Sequence, residues 1–369
     1  MSSWRTRLLP PLLAIVFAVL ICTVALLISG ADPLRAFGTM IAQLFKGTTA
    51  IDTLNLATPY YLAGLAVAIG FQMNLFNIGV EGQYRFAAVV AAIAGGALHL
   101  PPVLHAIVII LVAVLGGMLY AAIPAVLKVT RGVSEVISTI MLNSIVIGII
   151  AFLINPEQFG VQRGNNVHTE PIDDSGLIPG IPLGRLGELF GFVLIAIAVG
   201  GAYWFMLNRT RFGFELKASG ESTTAAAAGG VNAKKMTLIA MLLSGGVAGL
   251  VALPELLGRD HVYAITAAQG YGFTGIAVAL LGRNHPAGIA LGAVLWAFLD
   301  KSAVSLEQIQ VPKEIATIMQ GTIVLSVVVA YEIVRRADLA AEQRRVGRAL
   351  AGNGRKRGKP ADVSEGGAV

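Results

Sequence analysis

Between two apolar runs, the window Asn74-Leu75-Phe76-Asn77-Ile78-Gly79-Val80-Glu81-Gly82-Gln83 gathers two asparagines, a glutamate and a glutamine. Amides and carboxylates are costly in an apolar medium unless they are paired or wet. Such a cluster therefore marks either a turn in water between two helices or an interrupted helix lining a cavity. Gly79 and Gly82 allow unusual backbone angles or tight packing there. A second polar set, Ser134, Ser138, Thr139 and Asn143, follows Arg131-Gly132 inside an apolar stretch. Ser134 is placed to cap a helix start. The others suit hydrogen bonds between helices, or to a passing solute. The third polar region is Arg209–Lys235, which carries Phe212–Glu221, the run Ala225–Ala228 and then Gly229-Gly230. Its Ala-rich centre bounded by glycines predicts a short helix lying along a membrane face. That helix serves either as a basic orientation loop or as a docking element for a partner's groove.

No constellation for covalent chemistry accompanies these regions. The histidines His99, His105, His168, His261 and His285 are scattered at spacings that match no metal-ligand motif, and neither GxxxxGK[ST] nor GxSxG occurs. No catalytic residue, metal ligand or bound cofactor is assigned. Driven transport by this chain would draw its energy from an ion gradient or from another subunit. Ion-coupled carriers often hold carboxylates at mid-membrane. The candidates here are Glu81, within the polar window, and Glu135, near a helix start, and neither is deeply central in an apolar run.

The elements that must position these residues follow from composition. The chain has 369 residues, 56% of them hydrophobic and only 13% charged, about half the soluble average of roughly 25%. So few charges cannot cover a globule, and the chain reads as an all-α polytopic membrane protein. The lone Cys22 forms no intrachain disulfide. Apolar runs long enough for a span of about 20 residues lie at Leu8–Ser29, Ala57–Gln72, Tyr84–His99, Val103–Leu127, Val133–Ile154, Leu186–Leu207, Met236–Leu257 and Glu314–Val334, the second and third being short. The stretch Tyr263–Asp300 accommodates one crossing or two, divided at Gly282–Pro286.

Charge decides between these. The net charge of +6 is concentrated in a few connections and in the C-terminal region, where nine Lys/Arg lie between Arg335 and Lys359. The positive-inside rule accounts for them without any nucleic-acid partner. With the N-terminus, the basic loop 208–235 and the tail all inside, Tyr263–Asp300 must cross twice. The expected architecture is then about ten crossings, or eight if the two short spans are re-entrant. Residues 1–336 form the membrane domain, and 337–369 a cytoplasmic basic tail, partly disordered.

Four segments in order, LFNIGVEGQ (Leu75–Gln83), GVSEVISTIMLN (Gly132–Asn143), FGFELKASGES (Phe212–Ser222) and GYGFTGIAVALLGRNHP (Gly270–Pro286), resemble the permease subunits of bacterial ABC importers. The branch is the one serving branched-chain amino acids, ribose and nucleosides, and the nucleoside type is the most similar. The resemblance runs from about Leu54 to Arg336. It implies a type II importer-like permease in the bacterial cytoplasmic membrane, and the charge count puts both termini in the cytoplasm. It implies a second permease, with a heterodimer expected, and cytoplasmic ATPase subunits that bind ATP and Mg. A lipoprotein or periplasmic binding protein would deliver a nucleoside or sugar-like solute. It further implies a coupling helix within Phe212–Val231, with Gly213, Glu215, Lys217, Ala218, Gly220, Glu221, Ala225 and Gly229 toward the ATPase. For a nucleoside, Phe76, Asn77, Asn143 and Phe273 would offer a wall for the base and hydrogen bonds for the ribose. Glu81, Gln83, Ser134 and Thr139 complete the expected path. The rival readings are an ion-coupled secondary transporter and a membrane scaffold without cargo.

Overall fold

The computed structural model describes residues 3–267, 269–312, 314–330, 332–334 and 336. The tail 337–369 lies outside the described residues. The fold is almost wholly helical. In order the elements are α1 (Ser3–Ile28), α2 (Pro33–Leu44), α3 (Thr49–Phe71), α4 (Val80–Ala97), α5 (Leu104–Arg131) and α6 (Glu135–Leu153). Next come two small antiparallel hairpins, β1 (Gly160–Arg163) with β2 (Asn166–Thr169) and β3 (Ile181–Pro182) with β4 (Glu188–Leu189). Then follow α7 (Phe192–Arg209), α8 (Arg211–Glu221), α9 (Thr223–Ala228), α10 (Ala233–Gly249), a single turn α11 (Leu253–Glu255), α12 (Tyr271–Leu281) and α13 (Pro286–Glu307). A last apolar helix covers Glu314–Val334. The chain forms two compact units, Met1–Ala25 with Gly321–Val369, and Leu26–Gln320. The packing and the candidate site described below lie in the second unit.

Local chemistry sets the helix boundaries. Asp32 accepts from the backbone N–H groups of Leu34 and Arg35, and Pro33 opens α2. Gly132, left-handed at φ 68°, ends α5. Asn232 caps α10 by accepting from the Lys235 N–H. Helix α3 starts at Thr49, eight residues before the apolar run that announces it. Its polar first turns are paired: Thr53 Oγ1 donates to the Thr49 carbonyl. Asn55 Nδ2 donates to the Glu188 carbonyl, and its Oδ1 accepts from the Phe190 N–H. Helix α7 starts later than its hydropathy suggests, at Phe192, because Gly184–Leu189 forms a tight turn and strand β4.

Helix α3 is the central post, buried from Leu62 to Gly70 and packed by α7, α10, α12 and α13. The tightest pair is α5 with α10. Gly117 faces the backbone of Gly245 and Gly249, and a Cβ there would sit 2.9 Å from the Gly249 nitrogen. Small residues let backbones approach this closely, the usual packing between helices in lipid.

Among the described residues, seven helices are long and apolar enough to cross a membrane, eight if α1 and α2 together count as a span. The expected number of about ten is reached only by adding two others. Helix α4 carries Glu81 and Arg85 in its first turns, both buried. Helix α12, with 11 residues, rises about 16 Å and is half a span. The division of Tyr263–Asp300 falls at Gly282–His285, where Arg283 and Asn284 adopt φ 54° and 57°. The first of those two crossings is thus a half-helix, entered through the connection 261–270.

Candidate functional site

The polar window closes on itself. Residues between α3 and α4 form a short connection, opened by Asn74 at φ 52°. Asn77 is 1% exposed. Its Nδ2 donates to Gln83 Oε1 at 3.0 Å and to Ser244 Oγ at 2.8 Å. Its Oδ1 accepts from the Gly79 N–H and from Gln83 Nε2, both at 3.1 Å. Ser244 in turn donates to the Ala66 carbonyl at 2.6 Å. The amide thus joins α3, α4 and α10 with its hydrogen-bonding capacity used. Asn143, on α6, bridges the same connection. Its Nδ2 donates to the Ile78 carbonyl at 3.0 Å and its Oδ1 accepts from the Gly82 N–H at 2.9 Å, so it caps α4 from a neighbouring helix. Thr139 is fully buried, donates to the Glu135 carbonyl, and packs so closely on Gly79 that a Cβ there would lie 2.9 Å from it.

Glu81 performs the same task for α12. One carboxylate oxygen accepts from the Gly270 N–H at 2.9 Å and from the Tyr84 hydroxyl at 3.1 Å. The other accepts from the Gly272 N–H at 3.0 Å. A negative charge against the free N–H groups of a helix start is favourable both as hydrogen bonding and against the helix dipole. Gly272 packs directly on the α4 backbone at Val80 and Glu81. Of the expected path residues, Asn77, Glu81, Gln83, Thr139 and Asn143 thus come together, as partners of each other and of the backbone. Phe76, Phe273 and Ser134 are exposed. Phe76 leans on Phe71 with ring centroids 4.9 Å apart. Ser134 stands at the N-cap position of α6 as expected, but its hydroxyl makes no capping bond.

Two further carboxylates, the buried Glu255 and the half-buried Asp300, escaped the reading of Glu81 and Glu135 as the candidates. Glu255 accepts from the Tyr271 hydroxyl at 2.7 Å and from Arg259 at 3.2 Å. Asp300 accepts from the Tyr60 hydroxyl and from Gln320. With Tyr84 on Glu81, three tyrosines each serve one carboxylate. Tyr271 touches the other two rings, at centroid distances of 5.4 Å to Tyr60 and 5.8 Å to Tyr84. The available signal was Asp300 closing the apolar run Ala293–Leu299. Glu135 itself sits at the α6 start, paired with Lys128.

The basic loop has two faces. It folds as α8, whose N-cap Thr210 accepts from the Gly213 N–H, and α9, whose N-cap Ser222 accepts from the Ala225 N–H. The Ala-rich helix was expected, whereas α8 was not resolved as a helix from its mixed composition. Gly213, Leu216, Ser219 and Ala226 are buried. Gly213 lies on the backbone of Met206 and Leu207, and Gly220 on that of Gln72 and Met73, where a Cβ would be 2.9 Å from the Met73 Cα. Asn74 Nδ2 donates to the Gly220 carbonyl at 2.5 Å. The opposite face presents Phe214, 70% exposed, with Glu221, Ala225 and Gly229 also exposed. Between the faces, Glu215 pairs with Arg211 and Lys217 reaches Asn208, while Ala218 is half-buried. This arrangement seats α8 and α9 firmly against the rest of the chain and leaves one face exposed.

Residues 49–328 match the family described as branched-chain amino acid transport system / permease component. A guanosine ABC transporter permease protein of Bacillus subtilis, NupP, is 33% identical, covering 89% of this chain and 95% of its own. A glucose ABC transporter permease protein of Haloferax volcanii is 31% identical, covering 85% of each chain. A nucleoside ABC transporter permease protein of Lactococcus lactis, NupB, is 29% identical over 90% of this chain and 94% of its own. The Bacillus and Lactococcus species each have a second, more distant relative of matching description, NupQ at 26% and NupC at 27% identity. The chain belongs to the branched-chain amino acid transport system permease family.

Proposed function

We propose that this chain is the membrane-spanning permease subunit of an ATP-driven ABC importer and forms part of the path for a nucleoside or related small solute. The carrying observation is near full-length similarity to permeases named for guanosine, nucleosides and glucose. The pairing of NupP with NupQ and NupB with NupC in their organisms supports a second, different permease as its partner. The two-faced α8–α9 unit supports a cytoplasmic ATPase, holding ATP and Mg, that docks on Phe214, Glu221, Ala225 and Gly229. Residues 208–235 are then the coupling loop of a permease domain spanning 1–336. Both termini lie in the cytoplasm and the protein resides in the bacterial inner membrane. A binding protein delivers the solute to the opposite side.

Alternating access needs helices that rock without exposing polar backbone. The sealed contacts at Asn77, Glu81, Gln83, Thr139 and Asn143 let α4, α6 and α12 move as packed bodies. Phe76, Phe273 and Ser134 are the path residues left free for solute contact. Buried carboxylates are also the mark of the rival reading, an ion-coupled carrier. Here Glu81, Glu255 and Asp300 each already accept two or more hydrogen bonds, which leaves little room for a coupling cation.

Co-expression with an ABC ATPase and a second permease of the same organism and reconstitution into proteoliposomes tests the proposal. ATP-dependent uptake of a labelled nucleoside is expected. Uptake by the isolated chain on an ion gradient alone would sink it.

A further inference from the structure

The half-helix α12 is held at both ends by one short stretch of chain. At its N-terminus, Glu81 accepts from the Gly270 and Gly272 N–H groups. At its C-terminal end, Gln72 Nε2 donates to the Tyr203 hydroxyl at 3.2 Å, and that hydroxyl donates to the Asn284 carbonyl at 2.8 Å. Between these anchors α12 lies along α3, with Gly275 packed on Ala63 and Gly64 beside Val278. The stretch Gln72–Gln83 is itself tied to α8 by the Asn74 bond to Gly220 and by the backbone contact of Gly220 with Gln72 and Met73.

We infer that Gln72–Gln83 is a strut that carries α12 with α8, and that Glu81 and Tyr203 are positioning residues for α12 rather than solute contacts. The inference rests on the importer reading above. A displacement of α8 pulls on Asn74 and Gln72. The internally satisfied cluster around Asn77 resists deformation, because opening it strands buried amides. The displacement therefore passes to Glu81 and Tyr203, and through them to both ends of α12. Exposed Gln269, just ahead of Gly270, and exposed Phe273 then change their access to water as the helix shifts. The charge on Glu81 matters to this: a neutral amide there meets two N–H donors with a single acceptor oxygen.

The test uses the assembled complex in proteoliposomes, with Cys22→Ala as background and Gln269→Cys as reporter, labelled by a water-soluble maleimide. A second reporter, Ile181→Cys on β3, stands away from the strut. Labelling at 269 is expected to differ by about fivefold or more between nucleotide-free and ATP-trapped complexes, the lower range of ordinary site-to-site coupling. Labelling at 181 should change less. With Glu81→Gln, Tyr203→Phe or Asn74→Ala added, the difference at 269 should shrink to less than about twofold, while ATP binding by the complex persists. Tyr203→Phe and Asn74→Ala are the milder changes and keep the test valid if Glu81→Gln does not assemble. An undiminished difference at 269 in these variants overturns the strut. So does an unchanged reporter in a complex whose uptake is ATP-dependent. Absence of ATP-dependent uptake in the unmodified complex overturns instead the importer reading, and the strut with it.

Discussion

The α3–α4 connection and the α7–α10 connection look alike on paper. Each interrupts apolar sequence with glycines, acidic groups and amides. In the fold they are opposites. The first turns its side chains inward, so that Asn77, Gln83, Ser244, Asn143 and Glu81 satisfy one another and nearby backbone. The second anchors itself through small residues and backbone, at Gly213 and Gly220, and leaves Phe214 and Glu221 in the open. A polar break in a membrane chain can thus be an internal fastening or an external handle. What separates them is whether partners exist within the same chain. The two meet where Asn74 donates to the Gly220 carbonyl and Gly220 rests on the backbone of Gln72 and Met73.

Substitutions that weigh the fastening against the handle should separate stability from coupling. Asn77→Leu should cost the most, about 3–5 kcal/mol, because it strands the Gln83 amide and the Gly79 N–H and removes the donor to Ser244. Denaturant unfolding of the detergent-solubilised protein would measure this, and a near-native midpoint would break the view of a sealed cluster. Gly220→Leu should cost about 1–3 kcal/mol by overpacking against Gln72 and Met73, with loss of ATP-driven uptake beyond what the lowered stability explains. Asn143→Ala removes the bonds to Ile78 and Gly82 and should cost about 1–2 kcal/mol, read in the same unfolding series. Glu221→Arg on the exposed face should shift stability by no more than about 0.5 kcal/mol. It should still uncouple ATP hydrolysis from uptake in the reconstituted complex. Full uptake in that variant would remove Glu221 from the docking face.

The placement of the expected path residues shows why a polar residue in an apolar chain is ambiguous. Asn77 and Phe76 are adjacent, and only the packing of α10 and α6 around the connection decides that Asn77 turns inward while Phe76 stays exposed. Nothing local to Gln72 marks it as a partner of Tyr203, 131 residues away. The three tyrosine–carboxylate pairs are invisible for the same reason, since Tyr60 and Asp300 stand 240 residues apart. The shortness of α12 is invisible to hydropathy, which sums apolar residues without registering the left-handed Gly270 from which the helix starts.

By itself the sequence determined that the chain is a bundle of apolar helices and where its polar interruptions fall. It also determined that Tyr263–Asp300 divides at Gly282–Pro286, because hydropathy, turn-forming residues and charge are local properties. The tertiary structure alone decided which interruption is sealed and which is offered outward. That choice depends on hydrogen-bond partners brought together from distant helices, and a buried donor or acceptor takes the partner that packing supplies.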